Sequence, residues 1–224
     1  RFISASLMIG IAFVIFGASF GVLSVSAGAS VAQTCAMSLL VFTGASQMSA
    51  VSVLASGGTA ASAFGGAVLL SGRNAVYGLA MSPVLKQGSL ASRLLGAQWV
   101  IDETTAVVSA ETDPATRRTA FWISGAILYA SWNIGTLLGA LVGSSINPSD
   151  FGLDAAFPVM FTAMIAPHLR TSAGRKAALF GAVAAVALAP FMPIGLPILV
   201  SALGMLFGMS PTSSDPNMKT DGAP

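Results

Sequence analysis

Between Arg1 and Arg73 the sequence contains no Asp, Glu, Lys, Arg or His, and the same is true of residues 119–149 and 177–214. A helix needs about 20 predominantly apolar residues to cross the hydrocarbon layer of a bilayer, so these stretches are long enough for several crossings. A water-soluble domain carries roughly a quarter of its residues as charged side chains. This chain of 224 residues has 8% charged and 54% hydrophobic residues. The composition therefore predicts an all-α, polytopic integral membrane protein. Residues 2–27 are longer than the apolar region of a secretory signal and run on into further apolar sequence, so they read as a first span.

Hydrophobic runs separated by short polar or Gly-rich stretches predict about seven transmembrane helices, over residues 2–27, 31–54, 60–82, 94–110, 119–142, 154–169 and 177–207. Pro190, Pro193, Gly195 and Pro197 interrupt the last of these. Proline removes a backbone donor and clashes with the preceding turn, which predicts two half-helices around an irregular segment. Residues 1–209 form a single transmembrane domain in this reading. Residues 210–224 are a polar, disordered tail with nothing to bury.

Lys and Arg are retained on the cytoplasmic side of a membrane. With seven crossings and a cytoplasmic start, Arg117, Arg118, Arg170, Arg175 and Lys176 fall inside, but Lys86 and Arg93 fall outside. If residues 94–110 lie in the membrane plane, all of these are cytoplasmic. Both arrangements leave the acidic loop at 147–154 outside.

The formal net charge is only +2, and the basic residues form no stripe with interleaved aromatics, which argues against nucleic acid as a partner. Cys35 is the single cysteine, so neither an internal disulfide nor a cysteine metal cage is available. No cofactor or metal is expected.

Residues 17–21, GASFG, fit the G-x-S-x-G pattern of serine hydrolases, and a second GAS returns at Gly44. A nucleophile elbow requires a strand, a sharp turn and a helix, whereas GASFG lies inside a long apolar run. The sole histidine, His168, sits at a span end beside Pro167. The chain is not expected to be an enzyme. Gly17 and Gly21 read instead as small-x-x-x-small helix packing, and so do Gly135, Gly139 and Gly143.

The second GAS differs in its neighbours: Thr43, Gly44, Ser46, Gln47 and Ser49 lie together at membrane depth. A glycine flanked by side chains able to bond freed backbone groups suits a broken helix lining a site; the plainer alternative is hydrogen bonding to a neighbouring helix. Arg73 falls midway along its span. There an arginine costs about 2.5–3.5 kcal/mol on insertion scales, so it needs a polar interior and a partner. Asp102 and Glu103 are the available acids, and adjacent helix positions point about 100° apart, so one can pair while the other titrates. An interfacial helix with both acids in water is the alternative. Asp154 reads as an N-terminal helix cap.

The succession FTGASQMSA, GRNAVYG, DET and FGLDAAFPVMF, in this order and at these intervals, resembles the AzlC family, the large subunits of two-component branched-chain amino acid exporters. The resemblance runs from about residue 12 to residue 208. Ser71 and Asn74 depart from it, standing where Asn and His are common in the family. The resemblance implies a secondary exporter of valine, leucine, isoleucine and sometimes methionine in the cytoplasmic membrane, working with a small hydrophobic AzlD-type partner. Such a site needs groups for a carboxylate, an ammonium and an apolar side chain. Gly44, Ser46, Gln47, Arg73, Asn74 and Tyr77 are the expected substrate-binding residues, and Asp102 and Glu103 are expected to hold the ammonium or the coupling proton. Phe42, Met48, Tyr77 and Phe157 are the expected pocket walls. The competing readings are a passive channel, a transporter of another small amphipathic solute, and a scaffold for the partner.

Overall fold

The computed structural model describes residues 1–86, 88–143, 145, 159, 162, 165–166, 168–204 and 206. Every regular element among them is helical. The acidic loop at 147–154, Asp154, Phe157, Pro167, most of the predicted span at 154–169 and the tail at 210–224 lie outside the described residues.

Among the described residues, two helices are long and apolar enough to cross a membrane by length and composition alone: α1, Phe2–Ser26, and α7, Pro114–Gly143. At 1.5 Å per residue they measure about 38 and 45 Å. They pack side by side through their glycines. Gly17 faces the backbone of Trp132 and Thr136, Gly21 faces Thr136 and Ala140, and Gly135, Gly139 and Gly143 lie on Val14, Ala18 and Val22. A Cβ at Gly135 or Gly139 would run into the carbonyl oxygen of Val14 or Ala18. The two glycine patterns in the sequence are thus opposite halves of one seam, and contacts that rise together in both helices make them parallel. Ser19 is buried in mid-helix, where its hydroxyl donates to the Ile15 carbonyl at 3.1 Å, with no strand or turn beside it.

Residues 31–54, predicted as one segment, form two short helices, α2 (Val31–Val41) and α3 (Ala45–Ala55). Gly44 makes the bend between them with φ +50°, a conformation that disfavours a side chain. Gln47 then fastens the bend: its Oε1 accepts from Gly44 N at 3.2 Å, and its Nε2 donates to the Met37 carbonyl at 3.0 Å. A bond from residue 47 back to residue 37 requires the chain to double back. Ser24 and Thr34 are bonded at 2.9 Å and Phe42 lies against Phe13, so α2 runs antiparallel to α1. Helix α3 then returns, with Val51 in the cluster that Leu23 and Ala27 pack against.

Helix α4, Ala60–Leu85, follows as an unbroken helix of 26 residues, about 39 Å long. It begins against Val53 and Ala50 and ends with Met81 and Val84 in the cluster packed by Phe2, so it runs antiparallel to α1.

The reading of residues 94–110 as one span or one in-plane helix is corrected by the structure. They belong to a second hairpin, α5 (Leu90–Gln98) and α6 (Asp102–Ser109). Along α5, Gly96 meets Phe121 and Trp122, while Trp99 lies over Gly125 and against Tyr129. Ile101 reaches Leu128 and Trp132 in one buried cluster; α6 then carries Val108 back to Ala120 and Phe121. The physical cause of the break is Thr104, whose hydroxyl accepts from Ile101 N at 3.1 Å and donates to the Trp99 carbonyl at 2.7 Å. This satisfies groups that a continuous helix would have bonded internally.

The order long helix, short arm, bend, short arm therefore occurs twice, over α1–α3 and α4–α6, and the two units run in opposite directions. Their hairpins enter from opposite ends of the α1/α7 pair and meet in the middle.

Beyond these, a 3-10 turn at His168–Arg170 leads into α8 (Ser172–Leu188) and, after the Pro190–Gly195 stretch, α9 (Leu196–Ser201). This is the interruption predicted from the prolines. Gly195, at φ +92°, sits on Val53 near the end of α3 and Ser62 at the start of α4, while Gly204 and Ser201 fold back on Ala177 and Gly181 of α8. That places residues 168–176 toward the opposite end, the end of the α4–α5 connection.

Candidate functional site

Where the two bends meet there is a cavity of about 320 Å3. Its walls come from the middle of α1 (Ile9, Ala12, Phe13, Phe16), the first bend (Phe42, Thr43, Gly44, Ala45), the middle of α4 (Arg73, Asn74), the second bend (Ile101, Asp102, Glu103) and Trp132 of α7. The volume falls at the small end of the range for small-molecule sites.

The polar groups are few and converge. Arg73 Nη1 lies 2.7 Å from Asp102 Oδ2, with the two side chains 33% and 25% exposed. Glu103, the next residue of α6, lines the same cavity, and no ion pair joins it among the described residues. Of the two acids, the structure pairs Asp102 with Arg73. Both acids occupy the first turn of α6, where carboxylates complement the positive end of a helix dipole. Helix α3 also starts at the cavity, with Ala45 in its wall, so the N-terminal ends of two helices, α3 and α6, border the same space.

The remaining predicted site residues stand behind this wall. Ser46 is buried and bonds Ser71 on α4 at 2.8 Å. Gln47 is fully buried and holds the bend from within. Tyr77 packs against the Met81 and Val84 cluster, one turn beyond Arg73, and Met48 lies in the core. Phe42 is both core and cavity wall. The α1 residues, Ile101 and Trp132 carried no signal in the sequence, because an apolar residue in an apolar run looks alike whether it faces lipid, a neighbour or a cavity. No group of His, Cys, Asp and Glu that could hold a metal occurs among the described residues.

A family model described as AzlC protein matches residues 8–146, more than half of the chain and all of both hairpins. The chain belongs to the AzlC family. Among its relatives are an uncharacterized membrane protein of Helicobacter pylori strain 26695, 26% identical over 210 residues that cover 90% of each chain. Another is the inner membrane protein YgaZ of Escherichia coli K12, 28% identical over 193 residues, 82% of this chain and 79% of the relative. No solved structure matches this chain. The family and these relatives identify an all-α membrane protein.

Proposed function

We propose that this chain is a secondary exporter of branched-chain amino acids (valine, leucine, isoleucine and, in part, methionine), driven by the proton motive force and working with a small hydrophobic AzlD-type partner. The observation that carries this reading is the cavity itself: a fixed cation and a fixed anion, joined at 2.7 Å, in a space whose apolar walls include Phe13, Phe16, Ile101 and Trp132. A zwitterion with an apolar side chain complements all three features. Its carboxylate goes to Arg73 and the α3 N-terminus, its ammonium to Asp102, and its side chain to the α1 aromatics. Broken helices whose N-termini face substrate are how several secondary transporters hold amino acids. Glu103, adjacent to this pair and without an ion-pair partner among the described residues, carries the coupling proton.

The charge distribution supports a membrane placement. With α1, α4 and α7 crossing and both hairpins re-entrant, Arg1, Lys86, Arg93, Arg117 and Arg118 all fall at one end, and the other end, through residues 27–59, carries no Lys or Arg. Arg170, Arg175 and Lys176 lie toward the same end. That end is cytoplasmic by the positive-inside rule, and Lys86 and Arg93 cease to be exceptions.

The test is efflux of preloaded valine, leucine and methionine from cells expressing the chain with and without the partner, each repeated with a protonophore. Partner-dependent efflux that the protonophore abolishes is the expected result. Absence of efflux of all three amino acids in every arm would overturn the substrate assignment.

A further inference from the structure

The two hairpins match in more than shape. Each bend is closed by the third residue of its returning helix, Gln47 in one and Thr104 in the other. Each of these accepts a hydrogen bond from the backbone N–H at the bend, Gly44 or Ile101, and donates to a carbonyl of the incoming arm, Met37 or Trp99. Each hairpin is therefore braced internally and capable of moving as a unit. Among the described residues, the side-chain hydrogen bond between them is Gln98 Nε2 to the Leu39 carbonyl at 3.0 Å, beside the apolar cluster that Phe42 and Ile101 share.

The polar side-chain contacts that hold the returning arms at the cavity come from α4. Ser46 of α3 donates to Ser71 at 2.8 Å, since the Ser71 hydroxyl is itself committed to the Ala67 carbonyl. Asp102 of α6 is held by Arg73 at 2.7 Å. Residues two apart on a helix point about 200° apart, so α4 fixes one hairpin on each side of itself.

We propose that the two hairpins are the two gates of an alternating-access cycle. The α2–α3 hairpin closes the external route and is latched by Ser46–Ser71; the α5–α6 hairpin closes the cytoplasmic route and is latched by Arg73–Asp102. This rests on the transport reading for its substrate but not for its geometry. The latches differ in kind. The outer one is a neutral hydrogen bond whose α3 member, Ser46, is buried. The inner one is an ion pair in the cavity wall, and it can close either on itself or through a zwitterion that offers a carboxylate to Arg73 and an ammonium to Asp102. A solute with a single charge leaves one member unpaired at membrane depth, which selects for zwitterions at the gate. Opposed, symmetry-related elements around one central site are the usual basis of alternating access.

The test uses the full chain with its partner in cells, with Cys35→Ser as background and a single cysteine at either bend, Thr43→Cys or Val100→Cys. The Thr43 hydroxyl and Val100 are both buried, so reaction reports opening. A membrane-impermeant maleimide is applied to intact cells and to inside-out vesicles. Thr43→Cys is expected to react from outside only and Val100→Cys from the cytoplasmic face only. Ser71→Ala is expected to speed the first about fivefold, the worth of one hydrogen bond, and leave the second unchanged. Phe42→Cys and Ile101→Cys repeat the measurement if the first pair does not accumulate. Reaction from the wrong side, reaction at neither bend, or equal acceleration of both by Ser71→Ala overturns the proposal. Sided labelling that valine does not alter would uphold the gates while counting against valine as the substrate.

Discussion

Deleting Arg73 and Asp102 separately and together isolates what their ion pair does for the fold. At about 4 Å between charge centres, two unit charges attract by about 4 kcal/mol at an effective dielectric of about 20. With the side chains 33% and 25% exposed, much of that is offset by desolvation and screened. A net coupling of about 1–2 kcal/mol is expected. Arg73→Ala leaves Asp102 without a counter-ion at the α6 N-terminus, where the dipole partly compensates it. Asp102→Ala leaves the guanidinium unpaired at membrane depth, so it should be the more destabilising single change. The double variant has no stranded charge and should be more stable than Asp102→Ala. Thermal unfolding midpoints of the purified protein in detergent, followed by loss of helical circular dichroism, give all four corners of the cycle. A double variant as destabilised as the sum of the two singles would refute the pairing as an energetic unit. Efflux provides the second readout: Arg73→Lys keeps the charge but loses the planar fork, and should transport poorly while remaining folded.

Three further outcomes follow from the geometry. Gly139→Ala puts a Cβ into the Ala18 carbonyl and should destabilise the protein by about 1–3 kcal/mol, whereas Gly72→Ala on α4, with nothing near its Cβ, should be neutral or slightly stabilising in the same unfolding assay. Gly44→Ala meets only Trp132 at ordinary contact distance, so its cost is conformational, about 1–3 kcal/mol from the positive φ, and should appear as faster proteolysis at the first bend. Glu103→Gln should leave valine exchange between the two faces intact while removing the response of net efflux to a protonophore; unchanged protonophore sensitivity would take the coupling proton away from Glu103.

Much of the helical content, the membrane setting and several polar residues of the central cavity could be read from the sequence. The uncharged runs force helices, because a backbone in hydrocarbon must satisfy its own hydrogen bonds. An arginine in such a run needs an acid, and Asp102 and Glu103 were the two at hand. Gly44 with its polar neighbours marked the first bend, and the prolines marked the last. The second bend carried no such mark: Trp99, Val100 and Ile101 are as apolar as a helix interior, and Thr104 breaks the helix only because the folded chain places its hydroxyl between two backbone groups. Hydropathy reports how apolar a segment is, not whether its chain continues or turns back, so residues 31–54 and 94–110 read as single segments. Which glycine pattern faces which, which acid meets Arg73, and that Ser71 and Arg73 hold opposite hairpins depend on contacts far apart in sequence. Those were decided by the packing of α1 against α7 and by the antiparallel course of α4, which bonds one hairpin through Ser71 and the other through Arg73.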